Sequence, residues 1–255
     1  MDFVQKPQHV CYFSLTIIVF PIMYLILFIG IFILSWGVSY RLKSKFKKYS
    51  QIRWNSNLTG KEVAEHMLSD RGIHDVRVIS VPGRLTDHYN PADKTVNLSE
   101  GVYQGRSAAA AAIAAHECGH AVQHATAYSM LEFRSAMVPV QNVSARILNF
   151  AVIGLFMFGG FAMGGLTGDF LQLALMIIIG CYAVITLFSL VTLPVEFDAS
   201  RRALAWIKER NIASPSEYGM AQDALKWAAM TYVVAALGSI VALLYWISIF
   251  MGGRD

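Results

Sequence analysis

Four stretches of this chain, 10–36, 147–166, 170–193 and 228–251, contain no Lys, Arg, Asp or Glu. About 20 consecutive apolar residues are enough for a helix to cross the hydrocarbon core of a bilayer. No water reaches the backbone there, so a single apolar segment satisfies its own N–H and C=O groups only as a helix. A soluble protein of 255 residues does not bury four such helices, and this chain is 55% hydrophobic and only 15% charged. The expected fold class is therefore α+β, a mostly helical integral membrane protein with four transmembrane helices. The first stretch exceeds the apolar core of a secretory signal, and no small-residue cleavage pattern follows it, so it reads as a retained anchor. Cys11, Cys118 and Cys181 make no disulfide framework, which fits a reducing compartment.

Lysine and arginine show which helix ends share a side. Of the 21 such residues, all but Lys6 and Arg254 fall in 41–146 or 195–229, and Arg41, Lys43, Lys45, Lys47 and Lys48 directly follow the first stretch. The positive-inside rule then places both segments in the cytoplasm and both termini outside. The net charge of +4 reflects this topology and contact with lipid headgroups. No aromatic–basic pattern accompanies it, so nucleic acid is not an expected partner. Five segments result: 1–36 with the anchor, 37–146 in the cytoplasm, 147–193 as a membrane hairpin, 194–227 in the cytoplasm again, and 228–255 with the last span and an external tail.

In 37–146, NSNLTGKEVAEHMLSDRGI reads as a helix. Asn57 or Thr59 caps it, Val63, His66, Met67 and Leu68 have helical spacing, and Gly72 ends it. DVRVISV alternates as a strand does, PGRLTDHYNPADK is rich in turn residues, and TVNLS is a second short strand. A small strand pair is expected, with the strand around Val96 offering an edge for an extended peptide. An alanine-rich helix follows from about residue 106. In 194–227, Pro194 stands where a helix can begin, Ala199, Ala203, Leu204 and Ile207 make an apolar face, and Ser214 or Ser216 caps a further helix. Gly160 and Gly164 form the G-x-x-x-G of close membrane-helix packing.

The alanine-rich helix carries AAHECGHAVQHA, in which His116, Glu117 and His120 spell H-E-x-x-H. Residues four apart on a helix share a face, so the two histidines can hold one zinc ion, and Glu117 stands where it can take a proton from the attacking water. Gly119 lowers helix propensity and is retained, which implies close approach of another element. Cys118 points about 200° away from His116 at 100° per residue and is not an expected ligand. A hydrolytic zinc needs a third ligand. His124 continues the row, but eight residues of helix separate its α-carbon from that of His116 by about 12 Å, too far for bonds of about 2 Å. Asp169 falls on the other side by the charge pattern. Glu196, just past the third apolar stretch, falls on the same side, and a carboxylate there needs a partner. Asp198 suits a first-turn acid paired with Arg202. For the developing oxyanion, His88 is the expected catalytic partner of Glu117, with Tyr89 and His124 beside it as candidates.

Nearly the whole chain resembles the YugP-type neutral zinc metallopeptidases of bacterial membranes. The resemblance rests on FKKYSQIRWNSNLTGKEVA, GIHDVRVISVPGRLTDHYNP, TVNLSEGVYQGRS, AAHECGHAVQHA and LPVEFDASRRAL in this order and spacing. It implies a zinc-dependent membrane peptidase. The layout is also similar to that of HtpX-like proteases, in which a Glu after a later span is the third ligand; that implies the same role for Glu196. Those proteases have an Asp four residues further on, where this chain has Ser200. The expected molecule is a metalloendopeptidase of the plasma membrane with a zincin-like cytoplasmic core of H-E-x-x-H helix and strand pair. One Zn2+ is held by His116, His120 and Glu196, with Glu117 as the base. Its partners are the lipid bilayer and protein or peptide substrates, membrane proteins among them. The alternative is a zinc-stabilised scaffold or chaperone-like partner without turnover, for which an intact Glu117 has no use.

Overall fold

The computed structural model describes the backbone of residues 8–161 and 168–252. Gly164 is not among them, so the packing pattern read at Gly160 and Gly164 lies outside the described residues. In chain order the elements are α1 (Gln8–Tyr49), α2 (Gly60–Asp70), β1 (Arg77–Val81), β2 (His88–Asn90), β3 (Thr95–Ser99), α3 (Glu100–Tyr103), α4 (Ala108–Ala125), α5 (Ser129–Phe161), α6 (Gly168–Glu209) and α7 (Pro215–Gly252). Among the described residues, four helical segments are long and apolar enough to cross a membrane: Ile22–Tyr49, Ser129–Gly154, Phe170–Glu209 and Pro215–Gly252. Leu25, Phe32 and Trp36 on α1 and Phe150 and Ile153 on α5 are exposed, as a lipid-facing surface requires.

The long helices pack side by side in the order α5, α6, α7, α1. At 1.5 Å per residue, the 42 residues of α6 extend about 63 Å, roughly twice the 30 Å of a hydrocarbon core. One helix can therefore both cross a bilayer and build a polar site beyond it. That polar part is assembled around α4, which packs against α2, α6, α7 and the sheet. An ordinary surface helix buries one stripe. α4 is buried on nearly all sides, and its alanines let each neighbour approach closely. Ser107 caps it, with its Oγ accepting from the Ala110 N–H at 3.2 Å. α2 starts on a full capping box: Thr59 Oγ1 accepts from the Glu62 N–H, and the Glu62 carboxylate accepts from the Thr59 N–H. Its buried face is Gly60, Val63, Ala64, Met67 and Leu68; His66 is exposed and does not belong to it.

Several elements differ from the expectation. The sheet has three strands in the order β1-β3-β2, with β1 parallel and β2 antiparallel to β3. β2 comes from the turn-rich segment that reads as a loop. It is three residues long, and Asp87 fastens its start to the end of β3 by accepting from the Ser99 N–H at 2.7 Å. The strand around Val96 is consequently the buried central strand and has no open edge; β2 is the edge strand beside α4. α5, α6 and α7 each continue without a break past residues 147, 194 and 228. Pro194 lies inside α6, where it removes one backbone donor without ending the helix.

α4 and α6 run antiparallel and meet at three successive levels. His116 faces Ser200, Gly119 faces Ala199, and Gln123 reaches the Val195 carbonyl. The middle level sets the spacing: a Cβ at Gly119 would lie 2.5 Å from the Ala199 oxygen and 3.0 Å from its carbonyl carbon. This is the close approach that the retained glycine implies. Gly119→Ala must push two rigid backbones apart, and overpacking of this kind costs about 1–3 kcal/mol. A lower thermal midpoint in detergent, together with weaker zinc retention, is expected. An unchanged midpoint would show that the two helices are not in tight contact.

Candidate metal centre

His116 and His120 sit one turn apart on α4 with ring centroids 4.8 Å from each other. α6 brings Glu196 opposite them. Its Oε2 lies 3.3 Å from His116 Nε2 and 3.7 Å from His120 Nε2. Ligands about 2.0–2.1 Å from a tetrahedral ion stand about 3.3 Å from one another, so these separations suit one ion. Among the described residues, His116, His120 and Glu196 are the group of ligand types placed to hold a metal, with all three ligand atoms within 4.8 Å of one another.

The outer nitrogens are held as a metal site requires. His120 Nδ1 lies 3.0 Å from Gln123 Oε1. The Gln123 amide nitrogen donates to the Val195 carbonyl at 2.8 Å and to Asp198 at 2.9 Å, so its oxygen is the acceptor and His120 Nδ1 must be the donor. His116 Nδ1 lies 3.1 Å from Ser200 Oγ, a hydroxyl able to accept from it. Both rings therefore direct Nε2 inward with an acceptor behind Nδ1, the orientation that metal binding needs. Ser200 makes a neutral hydrogen bond with His116.

Charge is concentrated in a nearly dry place. Glu196 is only 3% exposed and Glu117 only 8%, and a buried carboxylate without a partner is costly. At His120, burial opposes the charged imidazolium, but Glu196 and Glu117 outweigh it and raise the pKa. Protons thus compete with a cation for this nitrogen. Arg134 of α5 also approaches, with Nη2 3.7 Å from Glu196 Oε1. Tyr232 of α7 lies within electrostatic reach of Glu196, Glu117 and Arg134.

The structure brings His116, Glu117, His120 and Glu196 together and leaves His88 apart. His88 is exposed on β2 with Nδ1 2.8 Å from the Thr86 carbonyl. Its neighbour Tyr89 turns toward α4 and holds His124 Nδ1 at 2.7 Å; side chains alternate along a strand, so His88 faces away from α4. Cys118 is fully buried, its Sγ 3.5 Å from the Ala64 carbonyl, and burial pushes the thiol well up. Asp198 makes the ion pair with Arg202 that its spacing suggests, at 2.6 Å. With α6 unbroken, however, it is not a first-turn acid; it anchors Gln123. Gln123, Arg134 and Tyr232 escape a motif search. Gln123 was recoverable from its place one turn after His120, and Arg134 from being a lone cation in the apolar run SMLEFRSAMVPV.

A mostly helical protein with four segments able to span a membrane, and with an H-E-x-x-H helix completed by a distant glutamate, is the class that fold and site define. The family model described as "Putative neutral zinc metallopeptidase" matches residues 24–251, and the chain belongs to that family. It is similar to the "Putative membrane protease YugP" of Bacillus subtilis (strain 168), with 41% identity over 222 residues, 87% of this chain and 94% of the relative. No solved structure matches the chain.

Groups that orient a ligand from outside typically change metal affinity by about 10–100-fold. Gln123→Leu and Ser200→Ala are each expected to weaken zinc binding by that factor in competition with a chromogenic chelator. Cys118→Val is expected to leave it unchanged. Equal affinity in the parent and both orienting variants would remove these residues from the account.

Proposed function

We propose that this protein is a membrane-embedded zinc metalloendopeptidase that hydrolyses peptide bonds of protein substrates at the cytoplasmic face of the plasma membrane. The observation that carries this reading is the convergence of His116, His120 and Glu196, with both outer imidazole nitrogens fixed, beside the glutamate of the H-E-x-x-H motif. Two neutral imidazoles and one carboxylate suit a single zinc ion and leave a net positive charge on it. Zinc bound there supplies Lewis acidity toward water and a peptide carbonyl. The family description and the name of the Bacillus relative support a proteolytic role at a membrane.

The chain's own residues do the rest. His116, His120 and Glu196 provide the three ligands. Glu117, buried beside His120, takes a proton from the attacking water and returns it to the departing amine nitrogen. Gln123 and Ser200 keep the rings aimed inward. The polar part is zincin-like in that a small sheet lies alongside the motif helix, and its edge strand β2 is where an extended peptide can add by backbone pairing. The distribution of basic residues supports a cytoplasmic site and external termini.

Glu117→Gln separates this reading from that of a zinc-stabilised scaffold. The variant is expected to keep stoichiometric zinc while casein hydrolysis in detergent falls by about 10²–10⁴-fold, the usual contribution of a general base. Glu196→Gln is expected to lose both metal and activity. A zinc-loaded parent that cleaves no better than Glu117→Gln would favour the scaffold. For topology, a cysteine introduced at position 94 is expected to resist impermeant maleimide in whole cells, and external labelling would invert the orientation.

A further inference from the structure

When water adds to a peptide carbonyl, negative charge gathers on the carbonyl oxygen, and hydrolases hold it with preorganised donors. We propose that Arg134 is the catalytic residue that holds this oxyanion; the inference rests on the peptidase reading above. Its Nη2 lies 3.7 Å from Glu196 Oε1, beyond hydrogen-bond range. Its Nε is shut off from solvent and has no hydrogen-bond partner among the described residues. The guanidinium therefore stands beside the metal ligands with donors still to be used. Its side chain keeps 28% exposure, so the group is within reach of an incoming molecule.

Its location argues the same way. Arg134 lies in a segment apolar enough to cross a membrane, and its neighbours Phe133, Val138 and Val140 are exposed large apolar residues. Set among these apolar neighbours, the guanidinium turns toward the polar site at Glu196. Glu196 presents Oε2 to the imidazoles and Oε1 to Arg134, so the guanidinium lies on the outer side of the ligand carboxylate. Of the donors that the sequence suggests, His88 Nδ1 lies against the Thr86 carbonyl and the Tyr89 hydroxyl against His124 Nδ1.

The step balances as follows. The water oxygen bonds to the carbonyl carbon while Glu117 takes one water proton, and the carbonyl π pair moves onto its oxygen, where Arg134 donates to it. As the C–N bond breaks, its electron pair leaves on nitrogen, which takes the proton from Glu117. The second water proton leaves the new carboxylic acid and ends on the amine, so the products are a carboxylate and an ammonium group.

The test compares the zinc-loaded parent with Arg134→Gln and Arg134→Lys in detergent. Zinc content, thermal midpoint, kcat and KM on a fluorogenic peptide are measured, with affinities for a phosphonamidate peptide, which mimics the tetrahedral anion, and for a peptide hydroxamate, which binds metal without that mimicry. Arg134→Gln is expected to keep its zinc and its hydroxamate affinity, with KM within threefold. Its kcat and phosphonamidate affinity are expected to fall together by about 10²–10³-fold, and Arg134→Lys to recover part of both. Phosphonamidate affinity within threefold of the parent would overturn the proposal. So would loss of zinc from Arg134→Gln that Arg134→Lys restores, because Arg134 would then act through Glu196 as a positioning residue. A zinc-loaded parent that neither hydrolyses peptides nor binds the phosphonamidate would instead refute the peptidase reading itself, and the proposal with it.

Discussion

The backbone of Ala199 lies against Gly119, and no side chain larger than hydrogen fits between them. That contact fixes the spacing of α4 and α6, and the antiparallel register fixes everything else at the site. One level to either side, His116 meets Ser200 and Gln123 meets Val195, and Glu196 falls opposite the two histidines. Ligands about 80 residues apart in the chain are thus positioned by rigid helices and not by loops, which suits a site that must hold its geometry within a fraction of an ångström. The alanines of α4 serve the same end, since larger side chains would hold α2, α6 and α7 at a greater distance.

The interior of this site is polar and almost dry, and its groups are tied into one network. Asp198 takes hydrogen bonds from Arg201 and Arg202 and from Gln123, Gln123 orients His120, and His120 and His116 face Glu196. Such a network is stable only when each member has its partner. A cation suits it, because two imidazole Nε2 atoms and a carboxylate oxygen converge on one point. Since α6 carries Glu196 and Asp198 on the same continuous helix that is apolar from Phe170 onward, the metal site and the membrane part are one mechanical unit.

Much of this was legible in the sequence because it depends on strong, local signals. Uninterrupted apolar runs identify membrane helices, and the four-residue spacing of His116 and His120 identifies a shared face. Thr59 and Ser214 stand out as caps by residue type, and the structure uses both. Glu196 was within reach because charge asymmetry sorts loops by side. The misreadings have physical causes too. Three residues of β2 carry no periodicity of their own and are extended only because β3 and Asp87 hold them. Pro194 signals a helix start locally, yet the surrounding packing carries α6 straight through it. For His88, residue type alone does not give the direction of the side chain, which the parity of a three-residue strand decides. Gln123, Arg134 and Tyr232 belong to the site through tertiary approach alone, which no spacing rule encodes.

The central claim is that the α4–α6 contact creates a metal site with two imidazoles and one carboxylate. X-ray absorption at the zinc edge on the purified, zinc-loaded protein tests it most directly. The account predicts two imidazole rings, recognisable by their outer-shell scattering, with the remaining ligands all oxygen and all first-shell distances near about 2.0–2.1 Å. A sulfur scatterer at about 2.3 Å, which would implicate Cys118, or a third imidazole, which would implicate His124 or His88, would contradict it.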